Sequence, residues 1–272
     1  MRQITRSFCL ALALIASSSA WAGRTCEDKA PDPEVFRKAM AAGYANMQQL
    51  DTIKPKVALI ARVGQDLSEY KLRYSHLGYV WQDPSQNQQW RVVHLLNECG
   101  TANSDLWREG LANFFMDDPF TYDSLIIVPS SAVQERLYTL LQNRSQLEQM
   151  HGSSYNMVAY PFSTLHQNSN QWALETLARA MSKDIELRNR EQAQQWLKLA
   201  GFDGTELKIN TFKRLGGRMF RANIAFDDHP TDQRMAGKIK TITVDSIVNF
   251  ITQNNPGARY YPVDAKPLPK LN

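Results

Sequence analysis

The chain has 272 residues, a formal net charge of +4, and a composition that is 43% hydrophobic and 21% charged. These values are typical of a folded globular protein and exclude disordered, collagen-like and low-complexity chains. Lysines and arginines are scattered, whereas a nucleic-acid-binding protein carries a concentrated basic stripe, so we expect no nucleic-acid partner. The three cysteines are too few for a disulfide-dense scaffold, and a chain of this length buries a full core without one.

The first 22 residues have the pattern of a secretory signal peptide. Arg2 and Arg6 form a positive region, residues 8–16 form a short apolar run, and Ala20-Trp21-Ala22 is a small-x-small cleavage site. The apolar run is shorter than the roughly 20 residues of a membrane-spanning helix. We therefore expect cleavage near Ala22, a periplasmic or secreted location, and no transmembrane segment in the mature chain.

The expected location determines the oxidation state that we expect for the cysteines. Cys9 leaves with the signal peptide, and Cys26 and Cys99 remain in an oxidising compartment, where two thiols usually form a disulfide. We favour a Cys26–Cys99 bridge, and two free thiols are the alternative.

Hydrophobic periodicity and turn residues predict the following elements in chain order. They are a helix over 33–50, a short buried strand or the core turn of a helix over 56–63, strands over 74–82 and 90–96 joined by a turn, a helix over 104–115, a strand over 124–128, a helix over 131–141, a partly extended aromatic segment over 155–162, helices over 168–181 and 191–199, strands over 206–210, 219–226 and 238–244, and a helix over 246–253. Without repeats or a clear linker, we expect a single α+β domain over 23–255, an antiparallel sheet with segregated helices, and a loose Pro-rich tail over 256–272.

Two histidines lie on the predicted hairpin. Because strand side chains alternate between faces, His76 and His94 can meet on a common face. A histidine beside a second polar group is suited to act as a general base. The alternative is a pair of half-buried histidines whose nitrogens bind backbone groups.

Ser169 lies where a loop enters the predicted helix over 168–181. A helix N-terminus stabilises negative charge on a nucleophile, so Ser169 is a candidate nucleophile. The alternative is plain capping, since Asn168 is a preferred N-cap residue and Asn168 with Gln171 resembles a capping box.

Asp227-Asp228-His229 contains residue types that bind metals, but adjacent residues cannot all face one ion, so a turn before Pro230 is the better interpretation. The chain has no Walker loop, dinucleotide fingerprint, His-Glu-x-x-His or Gly-x-Ser-x-Gly motif. We expect neither a metal nor a cofactor.

Several segments resemble an uncharacterised exported bacterial family, domain of unknown function 2145, over nearly the whole mature chain. They are GRTCEDKAP, LRYSHLGYVW, VVHLLNECGT, NFFMDDPF, YNMVAYPFS, HQNSNQWALETLA, RANIAFDDHP and ITVDSIVNFI. The family name implies no function.

The chain is more distantly similar to the permuted papain-like superfamily, which includes NlpC-type cell-wall peptidases and the lecithin:retinol acyltransferase group. Ser75-His76-Leu77-Gly78 matches its first element, His94 suits the polar residue of the next strand, and Asn168-Ser169-Asn170 stands where the nucleophile is expected. The sequence departs from the superfamily by having Ser169 in place of the usual cysteine.

This similarity implies an exported cell-envelope protein with a papain-like cleft, lined in part by Asn168 and Tyr160. The alternative for Tyr160 is an aromatic residue of the core. If active, it would be a hydrolase or acyltransferase that acts on an amide or ester through Ser169, His76 and His94. That activity requires Ser169 Oγ and a ring nitrogen of His76 within hydrogen-bond reach. The alternative is an inactive papain-like protein that binds peptidoglycan or an envelope partner.

Overall fold

A computed structural model of the chain describes residues 32–117, 119–209 and 222–264. The helices among these residues are α1 (Pro33–Ile53), α2 (Ser131–Leu141), α3 (Arg144–Glu148), α4 (Ser169–Met181), α5 (Arg190–Leu199), α6 (Thr231–Met235) and α7 (Val244–Asn254). The strands are β1 (Val57–Arg62), β2 (His76–Asp83), β3 (Gln89–Asn97), β4 (Ser104–Gly110), β5 (Ser124–Val128), β6 (Thr205–Lys208), β7 (Lys238–Thr241) and β8 (Arg259–Val263).

Six strands form an antiparallel sheet in the order β4-β3-β2-β1-β5-β8. Strands β2 and β3 are the predicted hairpin, with Tyr79 opposite Val93 and Asp83 opposite Gln89. The turn between them places Asn87 and Gln88 at φ values of 53° and 59°, the left-handed region that turn residues such as Asn tolerate. The hairpin brings the two predicted histidine positions onto neighbouring strands.

The two faces of this sheet pack against different helices. One face buries Leu77 and Tyr79 against Trp172 of α4, together with apolar residues of α2, α5 and α7. The other face buries Val80 and Val92 against α1 and a short 3₁₀ turn at Asn113–Phe115. Side chains alternate along a strand, so residues two positions apart in β2 or β3 lie on the same face.

A second, smaller sheet pairs β6 with β7 in antiparallel fashion. Leu207 and Ile239 of these strands pack with Val158 and Phe226 in a separate apolar cluster. Val158 and Phe226 lie close in the chain to the polar residues Ser154 and Asp227, so this cluster packs the segments that carry them against the small sheet.

The mixed α+β class and the antiparallel sheet are confirmed, as are the helices over 33–50, 131–141, 168–181, 191–199 and 246–253, to within a few residues. The strands expected at 56–63, 74–82, 90–96 and 124–128 are also present. The helices, however, cover both faces of the sheet. Residues 1–31, with the predicted signal peptide and Cys26, lie outside the described residues.

Three expectations about individual segments were also wrong. Residues 104–110 form the edge strand β4 and not a helix, because pairing along β3 from Arg91 to Asn97 overrides the helical spacing of their few apolar residues. Residues 222–226 are turn and coil, with the rest of that expected strand outside the described residues. Residues 259–263 are not a loose tail but strand β8, paired with β5 along its whole length.

Candidate functional site

The sheet brings His76 and His94 together, as the sequence predicts. His76 Nε2 lies 2.7 Å from His94 Nδ1, and both rings are buried. His94 Nε2 lies 2.9 Å from Glu109 Oε1, a close contact that is poorly aligned for a hydrogen bond. The ring of Phe114 covers the pair, with centroid distances of 5.8 Å to His76 and 5.2 Å to His94. The pair is therefore a sealed polar contact within an apolar layer.

The surroundings of the pair keep both rings uncharged. Burial lowers the pKa of His76 well below its usual value, and the nearby Arg62 guanidinium and His94 lower it further. Burial also lowers the pKa of His94, although Glu109 opposes this effect. Arg62 itself pairs with Asp117 and lies over the Phe114 ring. Two neutral imidazoles are therefore the stable state at neutral pH.

The structure does not bring Ser169 to this pair. His76 and His94 lie on the sheet face covered by α1 and Phe114, whereas Ser169 begins α4, which packs on the opposite face. Within the described residues, the hydrogen-bond partner of Ser169 Oγ is the hydroxyl of Tyr155, at 3.5 Å. The requirement for a Ser169–His76 hydrogen bond is therefore not met.

The residues around Ser169 act as a helix cap. Asn168 Oδ1 accepts a hydrogen bond of 2.7 Å from the backbone N–H of Gln171, as expected for an N-cap. Its Nδ2 donates to Thr241 Oγ1 at 3.1 Å, so the side chain is used on both sides and only 4% of the residue is exposed. Tyr160 is half-buried and packs edge-on against Phe162. Asn168 therefore does not line an open cleft.

A different serine stands at one end of a Ser-His-Asp series of hydrogen bonds. Ser154 Oγ lies 2.8 Å from His166 Nδ1, and His166 Nε2 lies 3.1 Å from Asp227 Oδ1. The His166 side chain is 15% exposed, and that of Asp227 is 51% exposed. A serine, an imidazole and a carboxylate in series form the arrangement of a nucleophile, a general base and the group that orients the base.

Backbone hydrogen bonds hold the serine and the histidine side by side. Tyr155 N donates to Ala102 O at 2.6 Å, and Gln167 N donates to Ser154 O at 2.9 Å. The segment with Ser154 is thus bound on one side to the chain preceding β4 and on the other to the residue after His166. This double attachment fixes the separation of the two side chains.

A buried network of charged and polar residues fixes the segment that carries His166. Arg190 donates to Glu175 Oε2 at 2.9 Å, and its other nitrogens donate to the carbonyls of Thr164 at 3.0 Å and His166 at 2.8 Å. Gln167 Nε2 donates to the same carboxylate oxygen at 2.6 Å, and Gln167 Oε1 accepts from Gly152 N at 2.8 Å. The Arg190–Glu175 ion pair, together with Gln167, therefore connects the segments that carry Ser154 and His166.

The Asp227 segment is anchored in a similar way. Asn156 exchanges two hydrogen bonds with the backbone of Ala225, at 2.9 and 3.1 Å. Asp228 and His229 are both buried and joined by a hydrogen bond of 2.8 Å, and Asp228 also accepts from Tyr160 N. The structure therefore separates the Asp227-Asp228-His229 motif into an exposed carboxylate and a buried anchoring pair. The part of the chain that the structure describes contains no group of three or more residues placed to hold a metal ion.

Sequence reasoning missed the Ser154–His166–Asp227 set because its members are far apart in the chain, with separations of 12 and 61 residues. No spacing rule joins them. The sequence contained a partial signal: His166 belongs to the same His-Gln-Asn-Ser segment as Ser169, and Asp227 begins the Asp227-Asp228-His229 motif.

A family model described as an uncharacterized protein conserved in bacteria, DUF2145, matches residues 49–251. The chain belongs to the DUF2145 family. The matched range contains both the buried histidine pair and all three members of the Ser154–His166–Asp227 set. No curated protein and no solved structure matches the chain, so the similarity of this DUF2145 protein to permuted papain-like proteins stays a prediction. None of the helices in the described residues is long and apolar enough to cross a membrane.

Proposed function

We propose that this protein is a serine hydrolase or acyltransferase that acts on an ester or amide, with Ser154 as nucleophile, His166 as general base and Asp227 as the orienting carboxylate. The observation that carries the proposal is the continuous chain of two hydrogen bonds, 2.8 and 3.1 Å long, through the two nitrogens of one imidazole. Both distances fall within the reach that nucleophile and base require before substrate binds.

The proposed chemistry proceeds in two steps. His166 Nε2–H donates to Asp227, so Nδ1 presents its lone pair to Ser154 and accepts the hydroxyl proton as Oγ attacks the substrate carbonyl. His166 then gives that proton to the leaving amine or alcohol, which departs and leaves an acyl group on Ser154. Water, activated by the same nitrogen, releases the acid in a hydrolase, and a second alcohol or amine takes the acyl group in an acyltransferase.

Exposure suits this role. Ser154 and His166 are half-buried and Asp227 is exposed, so the hydroxyl is reachable and the ring keeps its orientation. The buried His76 pair, by contrast, is closed off by Phe114. A partly exposed site fits a substrate that lies along the surface, and we propose an envelope component of that kind as the substrate.

The experiment that tests the proposal is labelling of the folded protein with a fluorophosphonate, followed by peptide mapping. We expect the label on Ser154, its loss in Ser154→Ala, and a rate lowered about 10²-fold or more in His166→Ala, since a positioned base contributes that much. Ser153→Ala, at the adjacent exposed serine, is the matched control and should label like wild type. An unlabelled wild-type protein, or a label that persists in Ser154→Ala, would overturn the proposal.

A second candidate is the papain-like arrangement, in which Ser169 acts with His76 and His94. The close His76–His94 contact favours it, and the position of Ser169 on the opposite face of the sheet opposes it. In the same experiment, a label on Ser169 that is lost in Ser169→Ala would support this candidate. The absence of label from both serines would favour the remaining alternative, a protein that binds peptidoglycan or an envelope partner without catalysis.

We also propose export and a Cys26–Cys99 bridge. Cys99 lies just after β3, and Cys26 lies outside the described residues. N-terminal sequencing of the protein recovered from its native host should begin near Gly23. The denatured, unreduced protein should contain no free thiol, and labelling of two thiols per chain would exclude the bridge.

A further inference from the structure

Three short backbone segments lie side by side at the start of β4, and Ser154 is in the middle one. An antiparallel bridge joins it to Asn103. The backbone N–H of the residue after each partner donates to the carbonyl of the residue before the other, at 2.6 and 2.9 Å. Asn103 and Ser154 are therefore a non-hydrogen-bonded pair, in which the Cα atoms of opposite residues come closest, about 4.5 Å apart.

His166 belongs to the third segment. Gln167 N donates to Ser154 O at 2.9 Å, and Asn156 N donates to Gln167 O at 3.1 Å, so Tyr155 and Gln167 form a parallel bridge. Ser154 and His166 each precede one member of that bridge, which places their side chains on the same face. The 2.8 Å distance between Ser154 Oγ and His166 Nδ1 agrees with this register.

The side chain of Asn103 lies on this same face, on the other side of Ser154 from His166. Opposite residues of an antiparallel pair have Cβ atoms about 4.5–5.5 Å apart, and their side chains interact. The backbone of Asn103 is held in place, because its N–H donates to Thr101 Oγ1 at 3.0 Å and its carbonyl accepts from Asn97 Nδ2 at 2.7 Å. Asn103 is exposed, and within the described residues no hydrogen bond engages its amide group. Ser154 therefore has an imidazole on one side and an available amide donor on the other.

We infer that Asn103 stabilises the oxyanion in the reaction of Ser154, an inference that rests on the proposed hydrolase or acyltransferase function. As Ser154 Oγ bonds to the substrate carbonyl carbon, the π electrons of the C=O bond move to the carbonyl oxygen, and the hydroxyl proton moves to His166 Nδ1. The Nδ2–H of Asn103 donates to the oxygen that gains this charge. When the intermediate collapses, the electron pair returns to the carbonyl, and the leaving group departs with the proton from His166. A donor placed where charge develops stabilises the transition state more than the substrate.

The test is the rate of fluorophosphonate labelling of Ser154 in the full chain, because attack on phosphorus moves charge onto a phosphoryl oxygen in the same position. Asn103→Leu keeps a similar side-chain size without a donor and should label about 10²-fold more slowly. Asn103→Asp places a carboxylate there and should be at least as slow. Gln89→Leu removes an exposed amide at the far end of β3, and this matched control should label like wild type.

Two further measurements distinguish a catalytic role of Asn103 from a structural one. Because Asn103 is exposed, Asn103→Leu should unfold in urea at the wild-type midpoint. Because an amide does not titrate, the labelling rate should keep the wild-type midpoint of its pH dependence while its maximum falls.

The outcomes separate this inference from the proposed function. If wild type is labelled at Ser154 and Asn103→Leu is labelled at the same rate, the inference is overturned and the proposed function stands. A slower rate with a shifted urea or pH midpoint also overturns the inference, since residue 103 would then only position Ser154 and His166. An unlabelled wild-type protein overturns both.

Discussion

His76 Nε2 lies 2.7 Å from His94 Nδ1, on the opposite face of the sheet from the helix that begins at Ser169. The hairpin that joins their strands brings the rings together, and the alternation of side chains turns both away from α4. A contact that the sequence suggested as part of a catalytic site is thus, in this structure, a buried element of the layer beneath α1.

The histidine pair should make stability depend on pH. Burial lowers both pKa values, and in the unfolded chain they return to about 6.5. Below that pH the unfolded state binds more protons, so the free energy of unfolding should fall as pH drops from 7 to 5, by at most about 1.4 kcal/mol per pH unit for each histidine. Urea unfolding at several pH values measures this slope.

His94→Gln is the comparison for that slope. Burial raises the pKa of Glu175 and of Asp245, and such carboxyl groups stabilise the folded state as pH falls, opposite to the histidines. Wild type and His94→Gln share the contribution of these carboxyl groups, so the difference between the two slopes does not contain it. We expect a shallower slope in His94→Gln; equal slopes would show that the pair does not titrate as proposed.

Arg190 should be far more important for stability than its charge alone suggests. Arg190→Met leaves the fully buried Glu175 without its cation, and such losses cost about 3–5 kcal/mol. Chemical unfolding measures this cost, and the rate of fluorophosphonate labelling should fall as well, because Arg190 holds the His166 carbonyl. Arg188→Met, at an exposed ion pair with Glu186, should change stability by less than about 1 kcal/mol. Similar costs for both variants would contradict the network.

Gly78 allows the close approach of β2 and β3 beside the histidine pair. A Cβ atom there would lie 2.9 Å from Val92 Cγ1, 3.0 Å from Val93 O and 3.1 Å from His94 Cβ. Gly78→Ala should therefore destabilise the protein by about 1–3 kcal/mol, as overpacking does. A Cβ atom at Gly110, in edge strand β4, would lie 3.9 Å from Asn113 Oδ1, so Gly110→Ala should cost much less stability. Thermal unfolding of both variants measures the two costs. Equal costs would show that the sheet relaxes around residue 78.

The start of α4 offers a direct comparison of capping with catalysis. Asn168→Ala removes the N-cap hydrogen bond and should cost about 1–2 kcal/mol. Ser169→Ala removes only the 3.5 Å contact with Tyr155, which is long for hydroxyl groups, and should cost less than about 0.5 kcal/mol. Urea unfolding distinguishes them. A larger cost for Ser169→Ala would mean that its hydroxyl has a structural role that the contacts do not show.

Local sequence patterns were sufficient to predict most helices and strands of the fold. The helix of residues 131–141 and the hairpin around residues 83–87 follow from periodicity and turn chemistry, which act over a few residues. Strand β4 was missed because its conformation is set by pairing along β3 and not by its own sequence. The closeness of His76 and His94 could be predicted because one short turn connects their strands.

The rest of the candidate site could not be predicted. The pairing of Ser154 with His166 depends on a bridge between two irregular segments, and Asp227 comes from a third segment, 61 residues after His166. Such contacts come from loop closure over long separations and leave no periodic signal. The helix that begins at Ser169 was predicted, but which face of the sheet it covers depends on how the whole chain packs.

Strand β8 completes the sheet with residues from the end of the domain. Without residues 259–263, β5 would be the edge of the sheet, and its apolar residues Leu125, Ile126 and Ile127 would have unpaired backbone groups. Edges of that kind pair with other chains. During synthesis, strands β1 to β5 emerge well before β8. The nascent protein therefore passes through a stage at which self-association through β5 competes with folding.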